Sequence, residues 1–327
     1  MLTASIVFER VEYVSLYTGN NGSEACTCKC PCCSQSGRER SYQGTMKQVL
    51  EMFECLPNLK QLYIFGNPDI TVDTQFCHEI VKEAVKRNIH VCFSTSGVGG
   101  KKVLIKLLDN IPANMVDYIS FSFDATTKEE MSFMKGINYP MEKALEGVQW
   151  AIAQGYPVKI QPTLWSCNYT KAEEIINFFS EKGVKWFTFH VGSLETGVIL
   201  PTHQHLTPEQ VKSVHDQISK AVHNHNDIKV RCPVIYYECG TNDPNKWYCM
   251  HPERAKELLV MLTEDGIKAT HTPMASGFNE KLNFSIGKTN SMAEVPSITE
   301  STICPYGYTM TGRKDTCCRY VSKYWNY

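Results

Sequence analysis

Residues 61–97 read QLYIFGNPDITVDTQFCHEIVKEAVKRNIHVCFSTSG. QLYIF (61–65) is a short apolar and aromatic run stopped by Gly66-Asn67-Pro68, the pattern of a strand and its turn. Residues 73–88 then place Phe76, Ile80, Val81, Ala84 and Val85 at helical spacing. IHVCFST (89–95) is a second strand, stopped by Ser96-Gly97. Strand, helix and strand in this order form a βα unit, and the strands of such units pair in parallel.

The alternation extends in both directions. Before it lie a β-rich stretch, ASIVFERVEYVSLY (4–17), and a helix over Ser41–Phe53. After it come a helical Val103–Leu108 and the strand YISFSF (118–123). A helix over Met141–Gln154 ends at Gly155, and VKIQPTLW (158–165) is a strand. A helix over Lys171–Lys182 is closed by Gly183, and KWFTFHV (185–191) is the last strand. Six strands interleaved with helices predict an α/β fold, a partial (β/α)6 TIM-like barrel. The length is short for a closed eightfold barrel of roughly 250 residues. From about 195–206 onward the pattern changes. A helix over Thr207–His223 opens with Thr-Pro and has Glu209 in its first turn. A second helix is expected over Pro252–Glu264, and 270–303 is rich in Ser, Thr, Asn and Gly. The expected organisation is a barrel over residues 1–200 and a smaller, loop-rich C-terminal domain or cap over 201–327.

The 327 residues carry 33 basic and 34 acidic side chains, a net charge of −1. This balance leaves no footprint for nucleic acid or an acidic membrane surface. No apolar run approaches the roughly 18 residues of a membrane helix. Glu9 and Glu12 fall early, without the basic-then-apolar order of a signal peptide. The expected location is cytoplasmic. Fifteen cysteines fall below the roughly 8–10% of a disulfide scaffold, and five of them, Cys26, Cys28, Cys30, Cys32 and Cys33, crowd into one loop. In a reducing compartment such a cluster points to metal or redox chemistry.

Within that loop C-x3-C-x2-C occurs once, at Cys26, Cys30 and Cys33; a register starting at Cys28 fails because Gln35 stands where a third thiol is needed. Three thiolates on a short loop can hold three irons of a cubane and leave the fourth open. The alternative is a zinc knuckle, with Cys28 or Cys32 as the fourth thiolate. With this triad after the first strand, the chain resembles the radical S-adenosylmethionine (SAM) enzymes. Further similarities come in family order over residues 1–195. They are Ile64-Phe65-Gly66-Asn67-Pro68-Asp69 where the family often has Gly-Gly-Glu-Pro, Phe93-Ser94-Thr95-Ser96-Gly97 like S-T-N-G, Ser122-Phe123-Asp124 like S-L-D, and Lys135-Gly136 where R-G is common.

The resemblance implies a 4Fe-4S cluster on Cys26, Cys30 and Cys33. It also implies SAM contacts at Gly66, Asn67, Pro68, Ser94, Ser96, Ser122, Asp124, Lys135, Gln161 and Val191. Taken as residues alone, Gly66 and Pro68 are also a strand-ending turn, Ser122 and Asp124 also ordinary strand-end polar groups, and Gln161 also a buried amide. Two departures stand out: Asn67 replaces a carboxylate, and Cys32 replaces an aromatic residue. The implied reaction is reductive cleavage of SAM to a 5′-deoxyadenosyl radical that abstracts hydrogen from the substrate, with electrons from a flavodoxin- or ferredoxin-type donor.

A second cysteine group comprises Cys232, Cys239, Cys249, Cys304, Cys317 and Cys318. Cys304…Gly312-x4-Cys317 is similar to the hairpin that opens auxiliary-cluster domains of peptide-modifying radical SAM enzymes. An auxiliary iron–sulfur cluster on Cys239, Cys249, Cys304, Cys317 and Cys318 is one expectation, and buried apolar thiols are the other. Cys232, Cys239 and Cys249 are also candidates for a catalytic hydrogen donor or electron relay. The resulting expectation is a radical SAM enzyme acting on a peptide, in maturation of a ribosomally made product, or on a natural-product intermediate. A first strand beginning by about residue 5 leaves no room ahead of it for a peptide-recognition domain, so a leader would be bound by a separate partner or by the C-terminal region. Competing readings are a small-molecule isomerase, lyase or dehydrogenase in antibiotic or cofactor biosynthesis, and a zinc-stabilised binding module without activity.

Overall fold

A computed structural model of the protein describes residues 11–20, 26–33, 42–65, 69–191, 203–204, 206–225, 227–232, 257–264, 266–271 and 284–286. The chain opens with β1 (Tyr13–Tyr17), a short β2 (Gly19–Asn20) and β3 (Tyr42–Gln43), then α1 (Met46–Cys55). There follow β4 (Gln61–Phe65), α2 (Thr74–Lys86), β5 (His90–Thr95), α3 (Gly100–Leu107) and β6 (Val116–Phe121). Next are α4 (Lys128–Lys135), α5 (Met141–Ala153), β7 (Val158–Ile160), β8 (Thr163–Leu164), α6 (Ala172–Ser180), β9 (Trp186–Thr188) and β10 (His190–Val191). The described elements end with α7 (Pro208–Asn224), β11 (Lys229–Arg231), β12 (Glu257–Thr263), β13 (Gly266–His271) and β14 (Phe284–Ile286).

One sheet runs β11-β9-β7-β6-β5-β4-β1-β12-β13-β14. From β11 through β12 every pairing is parallel, and β13 and β14 add on antiparallel. The sheet is open, a partial TIM-like arrangement rather than a closed barrel, as the six βα units predicted. The first helix begins at Met46, after Thr45, and not at Ser41 as expected, while α7 begins at Pro208, where Thr207-Pro208 placed it. Thr45 and Gln48 form a capping box on α1, and Thr207 and Gln210 another on α7, with Pro208 in its first turn.

Alternation along the strands separates two faces. Val14, Leu16, Leu62, Ile64, Val91, Phe93, Ile119, Phe121, Ile160 and Phe187 are buried in one core with helix residues such as Met52, Ile80, Ala144 and Ile176. The opposite face carries Ser15, Tyr63, Cys92, Ser94, Tyr118, Ser120, Lys159, Gln161 and Trp186. A bulge fixes that choice on β6. The register slips between Val91 and Cys92, so Val91 pairs with Val116 but Cys92 with Tyr118. The skipped residue, Asp117, accepts a hydrogen bond from Gln61 and lies 2.8 Å from His90 Nδ1. Without the extra residue, Tyr118, Ser120 and Ser122 would point into the helix layer.

Residues 257–263 are a strand, not the helix expected over Pro252–Glu264. Its LLVML run pairs with β1, Leu16 opposite Val260, and turns through a two-residue connection into β13, with Thr263 opposite Gly266. A short apolar run fits a buried strand and a helix equally by periodicity; parallel pairing with β1 decides for the strand. The helix α4 was not anticipated, although Thr127 and Glu130 flank its start as a cap, with the Thr127 hydroxyl accepting from the Glu130 amide. Among the described residues no helix is long and apolar enough to cross a membrane.

Leu262 is fully buried and belongs to the added strand. Leu262→Ala should therefore cost about 2–5 kcal/mol of stability, read as a lower urea midpoint. A surface-helix leucine would show almost no change.

Candidate active site

The cysteine loop 26–33 lies against the carboxyl ends of the strands, where α/β sheets bind ligands. Its backbone is tied down by Lys29, whose amide donates to the Lys135 carbonyl at 2.8 Å. The next residue, Gly136, ends α4 in the left-handed conformation, φ 63°. A Cβ there would lie 2.1 Å from the Lys29 carbonyl oxygen, so only glycine permits this docking.

Three of the five thiols touch. Cys28 is hydrogen bonded to Cys26 on one side and Cys30 on the other, and also reaches the Ser96 hydroxyl. These bonds, together with burial, push the Cys28 thiol up, while the same bonds pull its neighbours down. Cys26 is lowered to about 6, helped by a backbone hydrogen bond from Asp69 against the opposing effect of burial. Cys30 is lowered by its Cys28 bond, against burial and with help from the Lys135 charge. Burial pushes Cys32 up to about 12. The Cys33 amide donates to the Cys30 carbonyl at 3.1 Å.

Behind the loop is a buried ion pair, Lys135 Nζ to Asp124 Oδ2 at 2.6 Å. Lys135 also donates to the Ser122 hydroxyl at 2.8 Å. The other Asp124 oxygen accepts from the Thr163 amide at 2.7 Å, and the Asn168 side-chain amide donates to the Asp124 carbonyl at 3.1 Å. Burial alone would depress Lys135, but Asp124 and then Cys30 hold its pKa above the usual lysine value. Asp69, four residues after the end of β4, accepts from the Thr95 hydroxyl (3.1 Å), the Thr71 amide (3.0 Å) and the Ser96 amide. The Tyr139 hydroxyl donates to the Ser96 carbonyl.

The structure thus brings Cys26, Cys28, Cys30, Ser96, Ser122, Asp124 and Lys135 together. Ser94 and Gln161 stand on the same sheet face beside Tyr63, and the Ser120 hydroxyl donates to Gln161 at 2.9 Å. The backbone of Val191 pairs with Leu164 in a small separate sheet. Cys232 is buried in the hydrophobic core, and burial pushes its thiol up to about 12. Gly66, Asn67 and Pro68 lie outside the described residues, as do Cys239, Cys249, Cys304, Cys317 and Cys318. Sequence reading passed over Asn168 and Tyr139, and quoted Asp69 only as the end of the Ile64–Asp69 segment, without a role. Asp69 alone had a signal, as a carboxylate directly after a strand-end turn.

Among the described residues no group of three or more His, Cys, Asp or Glu side chains is placed to hold a metal ion; the loop thiols are arranged as a hydrogen-bonded chain. In kind, the donors fit an iron–sulfur cluster: every candidate ligand on the loop is a thiol, and a lysine charge lies beside it.

Residues 20–165 match the model of the radical SAM superfamily. The chain carries a radical SAM domain. It is therefore an enzyme domain, of a superfamily that uses SAM and a 4Fe-4S cluster. No curated protein matches the chain in sequence. Among solved structures, Streptococcus suis SuiB bound to its precursor peptide SuiA is similar at 12% identity and a TM-score of 0.60, over 77% of this chain and 57% of that one. A hexahistidine-tagged anSMEcpe with bound S-adenosylmethionine is similar at 16% identity and a TM-score of 0.55, over 68% of this chain and 61% of that one. Native anSMEcpe with bound S-adenosylmethionine and Kp18Cys peptide is similar at 16% identity and a TM-score of 0.52, over 67% and 64%. The chain spans less than two thirds of the length of each of these structures, and at such identities the likeness is one of fold.

Two substitutions test the architecture of the site. Gly136→Ala should lower the melting temperature through at least about 1–2 kcal/mol of backbone strain. Asp124→Asn, which strands a buried lysine charge, should cost about 3–5 kcal/mol, and Asp124→Leu combined with Lys135→Met should recover most of that loss in a double-mutant cycle.

Proposed function

We propose that the protein is a radical SAM enzyme acting on a peptide, with Cys26, Cys30 and Cys33 as the ligands of its 4Fe-4S cluster. The observation that carries this reading is the docking of the cysteine loop, through Lys29 and Gly136, onto the Asp124–Lys135 pair at the carboxyl ends of a parallel sheet. When bound, cluster and SAM together supply a carbon radical able to abstract hydrogen from an unreactive C–H bond, after one-electron reduction by a flavodoxin- or ferredoxin-type partner in a reducing, cytoplasmic setting.

The chain's own residues position and shield. Lys135 and Ser122 form a cation-and-hydroxyl pair suited to a carboxylate, and Asp124 keeps that lysine charged and fixed. Ser94, Ser96 and Gln161 offer neutral hydrogen bonds along the same face, and Gly66, Asn67, Pro68 and Val191 are assigned as further SAM contacts. Cys28, holding its proton between two neighbours shifted toward thiolate, serves as a spacer and not as a ligand. The peptide substrate is supported by the fold likeness to SuiB and anSMEcpe, both solved with peptides bound. A second cluster on Cys239, Cys249, Cys304, Cys317 and Cys318 is the further part of this proposal.

The test is anaerobic reconstitution followed by iron and sulfide analysis, with 5′-deoxyadenosine assayed after reduction in the presence of SAM. About four irons per chain are expected from one cluster and about eight from two. Cys26→Ala, Cys30→Ala and Cys33→Ala should each abolish SAM cleavage, whereas Cys28→Ala and Cys32→Ala should keep iron and turnover. Iron-free wild-type protein, one zinc in its place, or an active Cys30→Ala variant would each defeat the proposal.

A further inference from the structure

Below the cysteine loop, Lys159 is a buried cation that faces no carboxylate among the described residues. Lys159 is the middle residue of β7, between the core residues Val158 and Ile160, and is 6% exposed. Its Nζ lies 3.6 Å from the ring centre of Tyr118, 5.3 Å from that of Trp186 and 5.9 Å from that of Tyr63. The rings brace one another edge-on: Tyr63 to Tyr118 at 5.8 Å and Tyr118 to Trp186 at 5.1 Å. The other titratable groups facing it are Cys92 of β5 and Arg231 of β11. Asp117, the carboxylate nearest along β6, is engaged with Gln61 and His90 instead. Among the described residues, no carboxylate acts on Lys159.

Such a cation costs stability. Aromatic faces offset part of the lost hydration of an ammonium, but not all of it. Burial, with the Arg231 charge acting in the same sense against Cys92, brings Lys159 down to about 8. It therefore remains mostly charged at neutral pH. A methionine would fill the space without that cost, whereas a buried, ring-framed ammonium is suited to receive an anion.

Its position says which anion. Lys159 pairs with Ser120, two residues before Ser122, whose hydroxyl accepts from Lys135. At about 3.3 Å per strand residue, Lys159 sits roughly 7 Å deeper than the Ser122–Lys135 pair on the same face. We propose that Lys159, framed by Tyr63, Tyr118 and Trp186 and seconded by Arg231, binds a carboxylate of the substrate and so sets how deeply that substrate seats beneath the cysteine loop. This rests on the reading of the protein as a peptide-modifying enzyme, for which the carboxylate is either a chain terminus or an acidic side chain.

The test is tryptophan fluorescence of the full chain titrated with N-acetyl-alanine, its amide, and N-acetyl-aspartate α-amide, with Trp186→Phe assigning the signal. At least one acid should give saturable binding and the neutral amide none; N-acetyl-alanine reports a chain terminus, and the aspartate derivative an acidic side chain. Lys159→Met should weaken the acid at least about tenfold while raising the melting temperature, and Lys159→Arg should retain most of the binding. Acid affinity should also fall as the pH is raised from 7 to 9, as Lys159 loses its proton. Equal binding of acid and amide, no binding of either acid, or unchanged acid affinity in Lys159→Met would overturn the proposal. Because the measurement needs neither SAM nor reductant, a wild type unable to cleave SAM would defeat the radical SAM reading and leave this result intact.

Discussion

The site depends on one buried ion pair. Asp124 and Lys135 meet at 2.6 Å with almost no exposure, and a bare pair in that position would be a liability, since desolvation of both charges can exceed their attraction. It is held because the remaining hydrogen-bonding capacity is used: Ser122 and the Thr163 amide take part directly, and Asn168 fixes the Asp124 backbone. The pair therefore joins the end of β6, the end of α4 and the start of β8. Lys135 also joins the loop to that assembly twice, once through its charge beside Cys30 and once through its carbonyl, which accepts the Lys29 amide. One side-chain and one backbone restraint on the loop thus come from the same residue, and Gly136 directly after it provides the room for the backbone contact.

Much of this was legible in the sequence because local chemistry carried it. Thr207 marks a helix start that the structure confirms with a capping box, and each of the six anticipated stretches contributes a strand to the main sheet, although 158–165 and 185–191 are each broken in two and their second halves pair with each other in a separate sheet. What escaped was decided by tertiary contacts. The run at 257–263 becomes a strand because β1 has an open edge to offer it, a fact no window of sequence contains. The bulge at Asp117 has no local signature either, being the product of pairing β5 with β6. The sulfur contacts follow the same rule: spacing singles out Cys26, Cys30 and Cys33, whereas folding of the loop puts the intervening Cys28 between the first two.

The bulge shows how a single inserted residue can decide chemistry. In a parallel sheet covered by helices on one side, each strand residue is assigned to the core or to the opposite face by parity alone. One extra residue on β6 reverses that parity for everything beyond it. Tyr118, Ser120 and Ser122 are delivered to the face that already holds Cys92, Lys159 and Gln161, and Ile119 and Phe121 to the helices. The polar ladder from Lys159 up to Lys135 exists because of that reversal.

That ladder separates this fold from a closed barrel. A closed eight-stranded barrel fills its interior with layers of branched apolar side chains, so its interior is core and its chemistry is confined to the loops. Here the corresponding face bears Ser15, Ser94, Ser120, Gln161 and a lysine beside the packed rings of Tyr63, Tyr118 and Trp186, and the aliphatic packing lies on the helix side. Stability and chemistry are thereby assigned to opposite faces of the same strands. It follows that residues in mid-strand, and not only those in the loops at the strand ends, are in a position to meet a substrate, and that a charge such as Lys159 can be kept there without disturbing the core on which the fold relies.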